Sequence, residues 1–193
     1  MRLQTFKKKW CDCQRCSLAK GRWKVVLYRG SIPAEIMFIG EAPGDSENIL
    51  GKPFVGPAGD LLDSLLSDLN AFDHHVHSIG RITYCITNVI ACIPLNENGD
   101  TRVPKKKEIE ACSPRLVEFI KIVKPKLIVT LGKVAKKNLP DYIIKQGIPV
   151  RSVVHPAHLL PGRMDESRRK VATRRVLFQL NQWLDNIQEG VMK

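Results

Sequence analysis

The sequence contains no apolar run of about twenty residues, so no segment of it is expected to span a membrane. The opening stretch, MRLQTFKKKWCDC, is basic but has no apolar core, which excludes a secretory signal there and points to a reducing compartment, cytoplasmic or nucleoid-associated rather than secreted. Acidic residues are in short supply: 19 Asp and Glu stand against 31 Lys and Arg, leaving a net charge of +12. Such an excess favours a polyanionic partner. Nucleic acid fits better than a membrane surface, because no basic amphipathic helix stands out as an anchor. Internal repeats and low-complexity tracts are also missing. With 44% hydrophobic residues in 193, the chain reads as one folded domain, 1–193, too short for two comfortable ones.

Short apolar runs alternate with helical patterns. Ile36 to Ile39, a stretch within Ile82 to Ile93 centred on Tyr84 to Asn88, Leu127 to Leu131 and Val150 to Val154 read as four strands. Ala58 to Leu69 reads as a helix with Leu61, Leu62, Leu65, Leu66 and Leu69 on one stripe. Lys105 to Val123, Lys133 to Leu139 and Arg168 to Ile187 follow as helices, the last with Val171, Val176, Leu177, Leu180 and Leu184 inward. Residues 1–24 are expected to pack through Trp10 and Trp23, and Gly40 to Gly59 to form a loop. This order predicts a three-layer α/β/α sandwich around a mostly parallel four-stranded sheet. Ligands bind such sheets at the carboxyl ends of the strands.

In a reducing compartment six cysteines read as metal ligands or free thiols before disulfides. Cys13 and Cys16 form a C-x2-C knuckle, and Cys92 and Cys112 could complete a four-thiolate site from distant elements. Buried, unligated thiols are the plain alternative for Cys92 and Cys112. Spacing does not separate zinc from iron–sulfur. Cys85, mid-strand, is expected in the core, and Cys11 as a spare thiol or alternate ligand.

Four motifs fall in order at strand ends: Gly40-Glu41-Ala42-Pro43-Gly44, Gly51-Lys-Pro-Phe54-Val-Gly-Pro-Ala-Gly59, Thr87-Asn88-Val-Ile-Ala-Cys92 and His155-Pro-Ala-His-Leu-Leu160. With the cysteine spacing, they resemble the family 4, thermophile-type iron–sulfur uracil-DNA glycosylases from about Cys13 to Leu184. The resemblance implies hydrolysis of the N-glycosidic bond of uracil in DNA at the start of base excision repair. It also implies a [4Fe–4S] cluster on Cys13, Cys16, Cys92 and Cys112 that clamps the N-terminal segment without taking part in the chemistry.

The chemistry assigns roles residue by residue. A glycosylase must extrude its base, and pocket contacts must offset the few kcal/mol of flipping. Phe54 could stack on the base, while Glu41, Ala42 and Pro43 form pocket wall. Asn88 could pair with uracil O4 and N3–H together and reject cytosine, whose pattern is opposite. His155 could donate to O2 as negative charge develops there. Glu41 or Glu47 could orient the water and support the cationic sugar. The better known branch of the superfamily has Asp where Ala42 stands, and the family usually shows Glu-Asp where Glu47-Asn48 stands. Leu159 and Leu160 form a candidate wedge beside Arg163. Gly56 and Pro57, at a helix start, suit a phosphate. Lys52, Lys105, Lys106, Lys107, Arg168 and Arg169 are candidate backbone contacts, and so is His158. His74, His75 and His77 form a weak candidate metal cluster.

No motif places a lysine as a Schiff-base nucleophile, so a monofunctional enzyme is expected, acting as a monomer; the sequence identifies no sliding-clamp partner. Two other readings stand beside it. One is a DNA-binding homologue that keeps the iron–sulfur clamp but has impaired catalysis, suggested by Asn48 and the polar loop PLNENGDTRV. The other is a zinc-stabilised nucleic-acid module.

Overall fold

The structure is a computed structural model and describes residues 3–71 and 83–189. The candidate histidines His74, His75 and His77, the side chain of Leu69 and the C-terminal tetrapeptide lie outside that set.

A short helix, α1 (Leu3–Trp10), leads through a 3-10 turn (Ser17–Lys20) to β1 (Arg29–Gly30). Then come β2 (Ile36–Gly40), α2 (Asp45–Leu50), α3 (Pro57–Ala71), β3 (Tyr84–Asn88) and α4 (Lys106–Val123). The chain closes with β4 (Leu127–Leu131), α5 (Lys133–Lys137), α6 (Asp141–Lys145), β5 (Val150–Val153), a 3-10 turn (Pro156–Leu159) and α7 (Glu166–Gln188).

The sheet has five strands, not four, in the order β1-β3-β2-β4-β5. All pair in parallel except β1, a two-residue edge strand antiparallel to β3. Two residues carry no alternation, so β1 leaves no signal in the sequence. Alternate side chains of each strand enter opposite cores. Met37, Ile39 and Ile128 pack with Phe6, Trp10, Leu116 and Phe119, the layer of α1 and α4. Ile36, Phe38, Leu127 and Val129 pack with Leu62, Leu65, Val176 and Leu180, the layer of α3 and α7. Three layers result, as the alternation of elements predicts.

Three expectations need correction. Trp23 is 76% exposed, so of the two tryptophans only Trp10, together with Phe6 and Leu18, anchors the N-terminal segment. Its indole N–H donates to Glu118 at 2.9 Å. Val171 is 67% exposed, since it lies five residues before Val176, about 140° round the helix from the buried stripe. The loop from Gly40 to Gly59 contains a helix, α2, capped by Gly44 at one end and by left-handed Gly51 at the other.

Candidate active site and cysteine cavity

Because β2, β3 and β5 run parallel, Gly40, Asn88 and the segment after Val153 emerge at one edge of the sheet. An open cleft forms there, with Glu41, Ala42, Pro43, Phe54, Asn88 and His155 in its wall. All six residues that the motifs assign to substrate therefore meet.

Gly40 is the pivot. A Cβ at Gly40 would stand 2.6 Å from the Phe54 ring and would strike the Asn88 side-chain oxygen, so ring and amide close over a position only glycine can occupy. Phe54 is held at φ +55, a conformation a bulky residue adopts only where its surroundings enforce it. It is buried, and its ring lies 5.8 Å from that of His155 at an interplanar angle of 32°.

Asn88 is 1% exposed, and its Oδ1 accepts no hydrogen bond within the described chain. An acceptor buried without a partner is costly, and in a cleft it marks where a donor is to be received. His155 lies at the N-cap of the 3-10 turn, and its Nδ1 accepts the Ala157 N–H at 3.1 Å. That bond leaves the proton on Nε2, the nitrogen free to donate. Burial, helped by His158, pushes the imidazole down to about 4, so it is neutral at physiological pH.

The two acids part company. Glu47 is committed to structure: Oε2 accepts Gly44 N–H at 3.1 Å, and Oε1 accepts Val55 and Gly56 N–H at 2.9 and 3.1 Å. Those bonds tie the first motif to the second. They also use the Gly56 N–H, and Pro57 has none, so the phosphate site drawn on Gly56 and Pro57 loses those donors. Glu41 is half-buried in the wall, and burial alone raises its carboxyl. Asn48 has a structural task as well: its Oδ1 accepts Trp23 N–H at 2.8 Å and Lys24 N–H at 3.4 Å.

Of the wedge pair, Leu159 is 2% exposed and belongs to the core under α3 and α7. The packing of the 3-10 turn against α3 draws it inward, which corrects its assignment to DNA. Leu160 is half-buried and Arg163 exposed. His158, Lys52, Lys105, Lys106, Lys107 and Arg168 are exposed, while Arg169 is half-buried. The polar loop that seemed to weaken the enzymatic reading supplies part of the wall of the cleft through Thr101, Arg102 and Val103. Loop composition carries no signal of such a role.

Beyond β3, Cys13, Cys16, Cys92 and Cys112 line one cavity with Trp10, Glu108 and Arg115. All four are free thiols, as are exposed Cys11 and buried Cys85. Burial pushes Cys92 up to about 12 and raises Cys16, and the thiols of Cys13 and Cys112 add to both. Among the described residues, no three or more His, Cys, Asp or Glu side chains form a set that could hold one metal ion. The surroundings nevertheless suit an anionic iron–sulfur group. Arg22, its side chain 6% exposed, has a buried Nη1 without a partner and acts on Cys92. Arg115, 1% exposed, donates to Cys112 Sγ at 3.3 Å. Arg115 in the cavity wall, and Arg22 beside Cys92 with its Nη2 paired to exposed Asp12 at 3.3 Å, would offset part of the charge that cluster-bound thiolates would bring. Glu108, the cavity's carboxylate, is taken by a bidentate pair with Arg102 at 2.6 and 2.9 Å. That guanidinium holds the Glu108 carboxyl below the usual range and joins cavity to cleft.

Comparison with known proteins agrees with this geometry. Residues 27–178 match the model of the Uracil DNA glycosylase superfamily. The chain is 45% identical over 121 residues to a type-4 uracil-DNA glycosylase of Saccharolobus solfataricus, covering 63% of this chain and 51% of that protein. It is 41% identical over 137 residues to one of Sulfurisphaera tokodaii, covering 71% and 57%. The chain thus spans little more than half the length of these two relatives. It is 36% identical over 172 residues to one of Thermotoga maritima, covering 82% of this chain and 83% of that protein. The chain belongs to the Uracil DNA glycosylase superfamily and, within it, to the type-4 uracil-DNA glycosylases.

Proposed function

We propose that the protein is a monofunctional uracil-DNA glycosylase that flips uracil out of DNA and hydrolyses its N-glycosidic bond. The observation that carries this reading is the convergence of three groups in one cleft: the Phe54 ring, the unpartnered Asn88 Oδ1 and a neutral His155 with its proton on Nε2. Phe54 receives the face of the base. Asn88 Oδ1 takes N3–H while Nδ2–H reaches O4, and cytosine would leave that buried amide mismatched. As the bond to the sugar lengthens, His155 Nε2–H donates to O2 and stabilises the developing negative charge. Glu41, whose carboxylate is not committed as that of Glu47 is, orients the water and supports positive charge on the sugar. The exposed lysines and arginines hold the DNA backbone, and Leu160 with Arg163 enters the space left by the base.

Cys13, Cys16, Cys92 and Cys112 would hold the [4Fe–4S] cluster of the type-4 reading. When bound, that group serves as a structural clamp. It fastens the N-terminal segment to the chain after β3 within one domain, 1–193. The impaired-homologue reading loses support, because Asn48 holds backbone and the polar loop builds the cleft. Among the described residues no helix is long and apolar enough to cross a membrane, and a cytoplasmic monomer acting on DNA fits the charge.

The test is an oligonucleotide with a single uracil, incubated with the brown, cluster-loaded protein and then treated with alkali. Cleavage at the uracil is expected, with none in a matched cytosine strand. An intact uracil strand would sink the enzymatic reading.

A further inference from the structure

We propose that Arg115 is a positioning residue that fastens the strand end presenting Asn88 to the cysteine site, so that clamp and base reader move as one body. The proposal rests on the glycosylase reading, with Asn88 facing the base and Cys112 a cluster ligand.

Arg115 lies in α4, one turn beyond Cys112, and is almost wholly buried. Every nitrogen of its guanidinium is engaged. Nε donates to Cys112 Sγ at 3.3 Å and Nη1 to Thr87 Oγ1 at 3.1 Å. Nη2 donates to the Asn88 carbonyl and, at 3.0 Å, to that of Val89. Thr87 Oγ1 passes its own proton to the Leu27 carbonyl at 2.7 Å, which brings in the chain just before β1. The planar fork thus fixes three consecutive residues at the end of β3, where the ladder stops and carbonyls need other donors.

A buried guanidinium is costly without a counter-charge. The oxygens it meets are neutral, and no ion pair among the described residues includes it. Cys112 is the one hydrogen-bonded partner able to become an anion. A cluster-bound thiolate there would stabilise the cation, and the cation would stabilise the thiolate. Loading the clamp then tightens the fork that holds Asn88. Lysine would keep the charge but could not span Thr87, Asn88 and Val89 together.

Arg115→Met and Arg115→Lys, made in the full cluster-loaded chain, test this. Hydrogen bonds to cluster sulfurs help set the reduction potential, so the potential should fall in Arg115→Met and stay near native in Arg115→Lys. KM for a uracil oligonucleotide should rise about tenfold in both, with kcat little changed and discrimination against cytosine reduced. A folded Arg115→Met with native potential and native KM overturns the proposal, as does an equal loss in kcat and KM. Should Arg115→Met not fold, Arg115→Lys decides alone, and a native KM there overturns it. A wild-type protein that never takes up iron and sulfide refutes the cluster reading itself before any variant is made.

Discussion

The cleft around Asn88 and the cavity around Cys92 open from the same short stretch of chain after β3, yet the chain prepares them differently. In the cleft, its own atoms satisfy nearly everything. Glu47 is saturated by three backbone donors, His155 is locked in one tautomer, and Phe54 is held in a strained conformation over Gly40. What remains open is one buried acceptor on Asn88. In the cavity the imbalance is larger: four free thiols, with Cys16 and Cys92 raised by burial, lie beside buried Arg115, which forms no ion pair among the described residues, and near Arg22, whose Nη1 is buried without a partner while Nη2 pairs with Asp12. A base that visits and leaves needs a site already formed without it. A resident group can be part of what holds its site together.

If the cleft is complete in itself, disabling its chemistry should spare the cavity. His155→Ala is expected to lower the single-turnover rate roughly 100- to 1000-fold, the usual loss for one donor to a developing anion. Substrate affinity and the visible cluster band should change little. An equal loss in binding and rate would break the assignment of His155 to the transition state.

The converse perturbation should not stay local. Removing the cluster, by Cys16→Ala or by chelation, should lower the thermal midpoint by about 2–4 °C for each kcal/mol of clamp lost. It should also weaken binding of uracil DNA, because Arg115 and the Arg102–Glu108 pair connect the cavity to the cleft. A stripped protein with a native midpoint and native affinity would show that the regions are independent.

The smallest effect concerns pH. His155 in the folded chain titrates at about 4, below the value of about 6.5 for an unfolded histidine. As pH falls, the unfolded chain takes up that proton first. The stability this group contributes is therefore complete above about 6.5 and is lost as pH drops towards 4. The neutral donor persists through the same window, so the single-turnover rate should show no inflection near 6.5. A break there would mean that the imidazole is less buried in solution than the geometry requires.

The four main strands, the layered architecture and the cleft residues that lie in the four motifs were legible because each leaves a local mark. The marks are apolar runs of strand length, glycine-rich turns, and polar residues set where a strand ends. Leu159 was misjudged because adjacent leucines look alike until the helix beneath one of them is known. Val171 and Trp23 failed for a related reason: amphipathic bookkeeping names apolar residues without saying which of them finds a neighbour. Asn48 read as a lost charge, whereas in the fold it is a bracket for the backbone of Trp23 and Lys24.

By itself the sequence determined a cationic, mostly parallel α/β chain with cleft residues at strand ends and four cysteines that could close a metal site, since composition, periodicity and motif order are local properties. Only the tertiary structure decided which glutamate is free, which nitrogen of His155 keeps its proton, and that buried Arg115 and the Arg102–Glu108 pair join the two regions. Each of those outcomes depends on which backbone or side-chain groups, distant in sequence, come within hydrogen-bonding reach.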